Sequence, residues 1–585
     1  MSGSGEEFRI RPGRIRDTRI AKPKSFINRV LRAAKKAGHM AAQSGAALHA
    51  SGFGRSTFGR GRIAFSRNRL FSTQRRVVVK ARIAHHQGRA FRSAPMSTHL
   101  SYLKRDGVTS DSKTACVFDA EADRADDAAF SEQYKGDRHH FRFIVSPEDA
   151  AELSDTKAFT RDLMSKAERD LGTRLDWVAV DHWNTEHPHI HVIVRGRAEN
   201  GEDLVIARDY IREGVRARAQ QLLALELGPR SECEIHRSLD QQAGAERWTR
   251  LDRTLAREAA THGGIVDLRP DSGLPLDEFR SNKIGRMRKL EALGLANPTN
   301  SAQWSLSENA EEVLRELGER GDIIKRIHRS LTEKGWERAA ADFVLRGEAE
   351  TAPVTGRLVS RGLDDELKGS AFVVIDGVDG RAHHVRLPDL DAAGDSEPGS
   401  IVELRRYEDR VGRQRIAIAV RSDCSIADQV TAKGATWLDR QLVSREAVSL
   451  SDGGFGHEVR EAMNARIDHL VEEGLARRQG QRVLFGRELL ETLRKRDLEA
   501  IASKLAAETG VPYQPAVVGE HVAGLYRQRV TLVSGRFAMI DNGLGFSLVP
   551  WSPALEHHLG RQVSGIAQNG GGIDWNFGRK RGLGI

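Results

Sequence analysis

Alternating polar and apolar positions predict a β-strand where His, Ile, His, Val, Ile and Val follow one another at residues 189–194. Side chains two residues apart on a strand point to the same face of the sheet, so His189 and His191 are expected to face the same way. Similar alternation predicts strands at residues 140–145 and 175–180, and a strand beginning near residue 77. The histidine strand is therefore expected to belong to a sheet.

Helical spacing separates these predicted strands. Ser146 and Pro147 are predicted to open a helix that runs to about Leu171, with serine as the cap and proline at the first helical position. A short helix at 96–105, capped by Ser97, would carry Tyr102. Two more helices are predicted, at 206–227 and 245–261. Strands and helices thus alternate from 76 to about 262, as in one compact α+β domain.

The rest of the chain contains an apparent internal duplication. Residues 286–296 and 466–476 match at a constant offset of 180, and each is a helix that ends in Gly-Leu-Ala. A short hairpin and another helix follow in both places, then β-rich sequence at 372–377 and 537–542. Helix, hairpin and helix in this order predict winged-helix-like modules, each followed by a small β-barrel-like module.

Length and charge indicate several domains and a polyanionic partner. The chain has 585 residues and a formal charge of +10, and 17 Lys or Arg against three acidic residues lie within residues 1–75. This arm has little to bury and is predicted to be largely disordered. Cys116, Cys233 and Cys424 are isolated, which indicates a reducing compartment without a disulfide framework.

No membrane span and no secretory signal are predicted, so we expect a cytoplasmic protein without membrane insertion. The basic, acid-poor segment 25–39 leaves a transit peptide open.

The histidines are the strongest candidates for chemistry. His187, His189 and His191 in line on one strand would span roughly 13 Å, too far for a single ion. Two imidazoles at i and i+2 can converge on a metal ion, with the third ligand from an adjoining segment. His182, at the end of the preceding predicted strand, is the expected third ligand, and His187 is expected to be a bystander. The alternative is that these are surface or core histidines without a ligand.

Three segments together resemble the motifs of conjugative relaxases, which are nucleases of the HUH class. His182, His189 and His191 are similar to the third motif, and residues 97–107 resemble the first motif, in which the tyrosine is the nucleophile. Residues 140–147 are similar to the second motif, in which a serine contacts DNA. All three occur in the family's order, and the best match is the mobilisation-protein group that includes the T-DNA border endonuclease, in its long form with a large C-terminal region.

The resemblance implies an α+β fold in which an antiparallel-sheet relaxase domain precedes winged-helix-like and small β-barrel-like modules. The expected domains are the basic arm 1–75, the relaxase domain 76–265, a winged-helix-like module 266–350, a β-rich module 351–425, a second helical module 426–505, and a second β-rich module with a basic C-terminal tail 506–585.

The implied activity is site- and strand-specific nicking at an origin of transfer with Mg²⁺ or Mn²⁺. Tyr102 would attack a DNA phosphodiester and stay attached to the 5′ end. Lys104 and Arg105 beside it are expected DNA contacts. A phenol with a pKa of about 10 is a poor nucleophile at neutral pH, and the metal-bound phosphate and Lys104 or Arg105 would favour its anion. The metal ligands would be His182, His189 and His191. Single-stranded and duplex DNA, relaxosome accessory proteins and a type IV secretion coupling protein are the implied partners, in a bacterial cytoplasm from which the protein is exported with the transferred strand.

Several residues keep two interpretations. Ser146 is either a DNA contact or simply a helix cap, and Arg142 is either a phosphate contact or a solvated strand residue. The family often has an aspartate where this chain has Asn184, so that role is vacant or falls to Asp181 or Glu186. The basic cluster at 578–581 is a possible secretion signal or a solvated tail.

Two other functions fit parts of the pattern. His187, His189 and His191 also match the histidine-triad pattern of nucleotide hydrolases and transferases, in which the central histidine is the nucleophile and no metal is needed. A non-catalytic DNA-binding protein would have structural histidines and would form no covalent product with DNA.

Overall fold

A computed structural model describes most of the chain beyond the basic arm, namely residues 73–85, 100, 103–104, 115–133, 136–183, 188–270, 278–346, 353–408, 412–480, 482–556, 558–568 and 572–577. Thirteen α-helices and twenty β-strands lie within these ranges, in a mixed α+β arrangement with mainly antiparallel sheets. None of these helices is long and apolar enough to cross a bilayer. Contacts divide the chain into two compact units, one of residues 1–87 and 103–238 and the other of residues 88–102 and 239–585.

The first unit is built on a four-stranded antiparallel sheet. Its strands are β1 (Val77–His85), β2 (His139–Pro147), β3 (Leu175–His182) and β4 (His189–Ala198), in the order β1-β2-β4-β3. The strands predicted from alternation at 140–145, 175–180 and 189–194 are therefore present. The histidine strand β4 lies inside the sheet, with β2 on one side and β3 on the other.

One face of this sheet carries the hydrophobic core of the first unit. Helices α1 (Asp127–Gln133), α2 (Thr156–Leu171) and α3 (Val215–Leu227) follow the strands in chain order, with a π-helical turn at Tyr210–Gly214 before α3. Phe143 and Val192 from the sheet are buried against Leu163 of α2 and Leu222 of α3. Burial of each such side chain stabilises the fold by about 1.5–3 kcal/mol. The opposite face carries polar side chains together with buried apolar ones such as Val180 and Ile193.

The expected start of helix α2 is wrong. Ser146 and Pro147 belong to β2, where they pair with Val78 and Val77 of β1. The helix begins at Thr156, and the Asp155 side chain caps it by accepting hydrogen bonds from the backbone N–H groups of the second and third residues after the cap. Continued pairing with β1 carries β2 to Pro147, so the capping interpretation of Ser146 does not apply.

The second unit contains the same succession of elements twice. The first copy starts with helices and a hairpin: α4 (Glu232–Gly244), α5 (Arg250–Thr261), β5 (Ile265–Asp267), α6 (Arg280–Ala292), β6 (Ala296–Asn300), β7 (Gln303–Leu306) and α7 (Ala310–Thr332). A sheet follows: β8 (Phe343–Arg346), β9 (Val354–Asp365), β10 (Ser370–Gly377), β11 (Ala382–Leu387), α8 (Leu390–Ala393), β12 (Ile401–Glu408) and β13 (Gln414–Ser422).

The second copy repeats this order. Its helices and hairpin are α9 (Ile426–Val430), α10 (Trp437–Val443), α11 (Gly454–Glu472), β14 (Ala476–Gln479), β15 (Arg482–Phe485) and α12 (Leu489–Thr509). Its sheet is β16 (His521–Leu532), β17 (Gly535–Asp541), β18 (Phe546–Pro550), α13 (Pro553–Glu556), β19 (Gln562–Ala567) and β20 (Ile573–Trp575).

Strand pairing supports the equivalence of the two copies. The first sheet has the order β13-β12-β9-β10-β11-β8 and the second has β18-β17-β16-β19-β20. If β9 and β16 are counted as first strands, each pairs with the second strand (β10 or β17) and with the fourth (β12 or β19). The parallel pairing of β8 with β11 has a counterpart in the parallel bridge between Tyr513 and Phe546. A Cβ on Gly356 or on Gly524 would lie 2.3 or 2.4 Å from a carbonyl oxygen of the neighbouring strand, so both positions require glycine.

A buried ion pair occupies the same place in both copies. The Arg286 guanidinium of α6 donates to both carboxylate oxygens of Asp252 at 2.6 and 2.9 Å, and Arg466 of α11 does the same to Asp439 at 2.8 and 2.9 Å. Both aspartates also complete capping boxes with a threonine three residues earlier. Asp252 thereby ties α5 to α6. Both helices accordingly lie on the same side of the division after Ser238, which falls within α4.

Candidate metal centre

Three histidines meet where β3 and β4 pair. His182 is the last residue of β3 and His189 the first of β4, and the two are direct cross-strand partners. His191 lies two residues along β4, opposite Val180. Cross-strand partners share a face, as do residues two apart. All three imidazoles therefore lie on the sheet face opposite the hydrophobic core.

The three rings are close enough to act on one ligand. Their centroids are 4.5 Å apart for His182 and His191, 4.9 Å for His189 and His191, and 5.4 Å for His182 and His189. One nitrogen from each ring can be chosen so that all lie within 4.8 Å of one another. His182 and His191 are buried and His189 is partly buried. The predicted ligand set is thus assembled by the fold.

A backbone carbonyl orients the His182 ring. Its Nε2 lies 2.9 Å from the carbonyl oxygen of Leu103. A carbonyl only accepts hydrogen bonds, so Nε2 carries the proton and donates it. In the neutral ring the lone pair is then on Nδ1. A carbonyl bonded to the outer nitrogen of a metal-binding histidine is a common second partner that fixes the tautomer and the ring direction.

The donor set fits a divalent metal ion. The Nε2 atoms of His189 and His191 are 3.1 Å apart. Two nitrogens that each lie about 2.1 Å from one ion are separated by roughly 3.0–3.4 Å at ligand angles of about 90–109°. Neutral imidazoles leave the ion its full charge, so a bound ion would polarise a phosphate oxygen. The histidine group can therefore hold a metal ion.

Asp181, one of the two carboxylates considered for the vacant aspartate role, does not point into this site. Asp181 lies between two histidine-face residues of β3, so its side chain points to the other face. There it accepts hydrogen bonds from Thr156 at 3.1 Å and from Trp183 at 2.8 Å. Asp181 therefore holds β3 to the start of α2. Asn184, Glu186 and His187 lie outside the described residues.

Two of the predicted DNA contacts lie on the histidine face of β2. The Ser146 hydroxyl donates to the carbonyl of Pro188 at 3.4 Å, a weak bond next to His189. Arg142 is opposite Ile193 of β4 and is 9% exposed. Its Nε donates to Nε2 of the fully buried His140 at 2.8 Å, so that nitrogen of His140 is unprotonated. Arg142 is thus neither solvated nor remote from the site.

Sequence reasoning missed two further cations on this face. Lys80 and Arg82 of β1 are exposed and pair across the strands with Ile144 and Arg142. Their alternation with Val79 and Ala81 was visible in the sequence, but which strand they would lie beside was not. With them, the face that carries the histidines also carries a basic surface.

The remaining predicted residues differ in how much is described. The Lys104 ammonium forms an ion pair with Asp127 of α1 at 2.7 Å, and both side chains are about one third exposed. Tyr102 and Arg105 lie outside the described residues. The described residue nearest to Tyr102 in the sequence is Leu103, whose carbonyl contacts His182.

Comparison with known proteins adds one family. Among curated proteins and among solved structures, none matches the chain. A family profile described as a protein of unknown function (DUF3363) matches residues 283–414 and 405–584. These segments run from α6 through the first sheet and from β12 to the end of the second copy, and together they cover just over half of the sequence. The chain therefore belongs to the DUF3363 family.

Proposed function

We propose that this protein is a relaxase, a metal-dependent DNA strand transferase that nicks one strand at an origin of transfer and remains attached to its 5′ end. The observation that carries the proposal is the contact between His182 and the carbonyl of Leu103. It joins the three-histidine group to the residue that follows Tyr102, the expected nucleophile. A metal site without an adjacent nucleophile would support many functions, whereas this pairing favours phosphodiester transfer.

The antiparallel sheet of the first unit supports the proposal of an HUH nuclease fold. The histidine pair lies on an inner antiparallel strand, on the sheet face opposite the hydrophobic core. The third histidine comes from the neighbouring strand. In this arrangement the histidine group shares one sheet face with Arg142 and Lys80, where a DNA strand would bind. The arrangement supports the finer fold assignment, which the strand order alone does not establish.

The chemistry follows from the residue types. A bound Mg²⁺ or Mn²⁺ would withdraw charge from the scissile phosphate and make phosphorus more electrophilic. The Tyr102 phenolic oxygen forms a bond to phosphorus as the bond to the 3′ oxygen breaks. The phenolic proton is lost and the 3′ oxygen takes up a proton. Because the phosphotyrosine ester retains the bond energy, the same residues can rejoin the strands by the reverse reaction.

Cations on the histidine face would position the DNA backbone. Lys80 lies on that face at the level of His191, and Arg142 and Arg82 lie on it two residues further along their strands. Each step of two residues is about 7 Å, close to the spacing of phosphates along an extended strand. Ser146 would contact the strand beside His189. Lys104 is held by Asp127 and would stabilise the helix of Tyr102 more than the phenolate itself.

The second unit would serve the same function by binding DNA around the nick. Its helix-hairpin-helix segments fit winged-helix modules, which place a helix or a hairpin against duplex DNA. Its two sheets fit small barrels. In this proposal the physiological partners are duplex and single-stranded DNA, relaxosome accessory proteins and a type IV secretion coupling protein, and the protein acts in a bacterial cytoplasm before it is exported with the DNA.

The test incubates supercoiled DNA carrying the cognate origin with the full chain, in Mn²⁺ or Mg²⁺ and in chelator. We expect metal-dependent nicking and a protein-linked 5′ end, both lost in Tyr102→Phe and in a His189→Ala, His191→Ala double variant. His236→Ala, at an exposed histidine of α4, is the matched control and should retain activity.

Two outcomes would replace the proposal. Metal-independent transfer of a nucleotide to a histidine would indicate a histidine-triad enzyme. Origin binding without any covalent product, under all metal conditions, would indicate a non-catalytic DNA-binding protein. Nicking that persists in Tyr102→Phe would overturn the choice of nucleophile alone.

A further inference from the structure

The two copies in the second unit have diverged in charge at equivalent hairpins. The β14–β15 hairpin of the second copy carries Arg477, Arg478 and Arg482, and Arg487 follows it. Its counterpart in the first copy, β6–β7, has no charged residue from 296 to 306. The β6–β7 hairpin connects α6 to α7, and the β14–β15 hairpin connects the equivalent helices α11 and α12. A neutral hairpin is therefore sufficient for the fold, and the arginines need another explanation.

The opposite divergence occurs at the last hairpin of each sheet. Residues 401–422, which form β12, β13 and their turn, contain six arginines and three acidic residues. Their counterpart at 562–575 contains no basic residue and one aspartate. Each copy thus has one basic hairpin and one uncharged or weakly acidic hairpin, at different places in the module.

The arginines of β14–β15 are displayed to solvent. Arg477, Arg482 and Arg487 are exposed, and Leu484, the cross-strand partner of Arg477, is 51% exposed. Arg478 forms an exposed ion pair with Asp468 of α11. Such surface pairs contribute little to stability and are screened by salt, so a phosphate can replace the carboxylate. An exposed apolar side chain between arginines suits a nucleic-acid groove better than bulk water.

The β12–β13 hairpin combines arginines with an exposed aromatic ring. Leu404, Ile416 and Ile418 face the core of the barrel, so Arg405, Tyr407 and Arg415 share the outer face. Tyr407 is 52% exposed and is the cross-strand partner of Arg415. The exposed Arg405 side chain lies 3.3 Å from the partly buried carboxylate of Glu403, which Arg421 also binds. An aromatic ring flanked by cations can stack on an unpaired base while the cations contact phosphates.

The topology of the sheets indicates why binding would use hairpins. Counted from β9 or from β16, five strands of each sheet have the order 5-4-1-2-3, with a short helix between the third and fourth strands. This is the order of an OB-type barrel, in which the face of strands 2 and 3 and nearby loops bind oligonucleotides. Here α7 covers that face in the first copy through Ile323 and Ile327. Ala502 and Leu505 of α12 cover it in the second. The loop between strands 4 and 5 is another part of such a barrel that can bind oligonucleotides. In the first copy this loop belongs to the β12–β13 hairpin.

We propose that β14–β15 and β12–β13 are the DNA-binding sites of the DUF3363 half, with β14–β15 contacting the backbone of duplex DNA and β12–β13 contacting a single strand through Tyr407. The choice of DNA as the polyanion rests on the proposed relaxase function. The division between the two hairpins rests only on the charges, exposures and equivalences within the second unit.

The test measures binding of the full chain in chelator to a labelled duplex and to a labelled single strand, over a range of salt. We expect the Arg477→Gln, Arg482→Gln, Arg487→Gln triple variant to lower the salt slope for duplex by about 3, close to 0.9 for each lost phosphate contact. Tyr407→Ala should weaken single-strand binding roughly tenfold and leave duplex binding unchanged.

A charge-matched control separates a site from net charge. Arg315→Gln, Arg320→Gln and Arg329→Gln together remove three exposed arginines of α7 in the same unit, and this variant should keep the wild-type salt slope. Equal losses of salt slope in the control and in the hairpin triple variant would overturn the proposal. So would an unchanged salt slope in the hairpin triple variant combined with unchanged single-strand binding in Tyr407→Ala. Losses seen with RNA but not with DNA would overturn the choice of polyanion.

The same protein preparations distinguish this inference from the proposed function. Nicking is scored separately, and the His189→Ala, His191→Ala variant should lose nicking while its salt slope is unchanged. A chain that never nicks but shows the hairpin-dependent slopes would retain the binding sites and lose the relaxase assignment. A chain that nicks with hairpin-independent binding would do the reverse.

Discussion

At the scale of single residues, three imidazole nitrogens would decide which ion a metal site in the first unit accepts. Nitrogen donors favour first-row transition ions, whereas Mg²⁺ prefers oxygen ligands and keeps its water. Among the described residues that share the sheet face, the candidate ligands are His182, His189 and His191, and the Asp181 carboxylate points away. Of the two ions expected, Mn²⁺ is therefore the better match.

We predict that the protein binds Mn²⁺ more tightly than Mg²⁺, and that His191→Ala weakens Mn²⁺ binding more than about 100-fold, beyond the usual cost of losing an outer-shell partner. Isothermal titration calorimetry with each ion measures both effects. His236→Ala should bind like wild type. Equal affinity for the two ions, or Mn²⁺ binding that survives His191→Ala, would contradict this account of the site.

A second residue-scale effect concerns His384 in the first barrel. It is 1% exposed, stacks on Phe372 with ring centroids 5.3 Å apart, and its Nε2 accepts a hydrogen bond from Arg326 at 3.1 Å. Burial, aided by the positive charge of Arg326, lowers the pKa of His384 to about 4. The ring is therefore neutral in the folded chain at pH values where an unfolded chain would already protonate it.

Stability should consequently depend on pH through this histidine. The unfolded chain binds the proton near pH 6.5 and the folded chain only near pH 4, so the contribution is complete above pH 6.5 and is lost as the pH falls toward 4. The loss is of the order of 3 kcal/mol for a shift of this size. His384→Gln should flatten the stability profile in that window, as measured by urea unfolding. His457→Gln, at an exposed histidine, should leave the profile unchanged.

At the scale of elements, one buried arginine sets how helices pack in each copy. Arg286 and Arg466 are fully buried and satisfy their donors with an aspartate and with backbone carbonyls at the ends of neighbouring helices. The carbonyls otherwise lack partners at helix ends. The arginine thus makes fixed polar contacts where a helix usually packs through apolar side chains. These contacts determine where α6 or α11 lies against the preceding helices.

Removing either arginine should leave a buried carboxylate without its counter-charge. We predict that Arg286→Leu or Arg466→Leu destabilises its copy by about 3–5 kcal/mol, and that adding Asp252→Leu or Asp439→Leu recovers part of this loss because no buried charge then remains. Denaturant unfolding measures the change. Arg288→Leu, at an exposed position of α6, is the matched control. A double variant that is less stable than the single one would show that the capping role of the aspartate outweighs its charge.

The elements also show what could be predicted from sequence. Alternation was sufficient to predict β2, β3 and β4 and the shared face of His189 and His191, because a period of two is a local property. Pairing is not local, so the position of β4 between β2 and β3 and the proximity of Lys80 and Arg82 could not be derived. The wrong start of α2 has the same cause, since Ser146 and Pro147 form a good local cap signal that pairing with β1 overrides.

The aspartate partners of Arg286 and Arg466 could not be predicted, for a related reason. The repeat that begins at Arg286 and Arg466 was visible as a constant offset, but it gave no sign that either arginine is buried. Their aspartates lie 34 and 27 residues earlier along the chain. A charged residue on a helix is normally expected to face solvent. A charged pair with such separation has no periodic signature, although the threonine-to-aspartate capping spacing in front of each was available as a clue.

At the scale of the whole second unit, the two copies are joined by a charged network. Arg357 of β9 and Arg338 both donate to the fully buried Asp376 of β10 and to Glu458 of α11, at 2.8 and 2.9 Å. Arg357 also lies over the rings of Trp336 and Phe455, 3.6 and 4.6 Å from their centroids. The first barrel is in this way attached to the helices of the second copy.

A second network joins the two sheets. Arg536 of β17 donates to Asp423 and Asp395, and Arg529 of β16 donates to Asp395 at 2.5 Å. Asp395 follows α8 and Asp423 follows β13 in the first copy, whereas the arginines belong to the barrel of the second. Because both networks cross from one copy to the other, the copies are expected to open together and not as independent domains.

Glu458→Gln tests this coupling in the intact chain. The amide keeps the shape of the side chain but removes the negative charge that balances Arg338 and Arg357, so two largely buried guanidinium groups share Asp376 alone. Loss of a charged hydrogen-bond partner at such a site typically costs about 1–3 kcal/mol. We predict faster amide hydrogen exchange in both β9–β10 and α11, measured by mass spectrometry. Glu461→Gln, exposed on the same helix, should leave exchange unchanged. Faster exchange confined to α11 would mean that the copies unfold separately, because the first barrel would then have kept its protection without the carboxylate of the second copy.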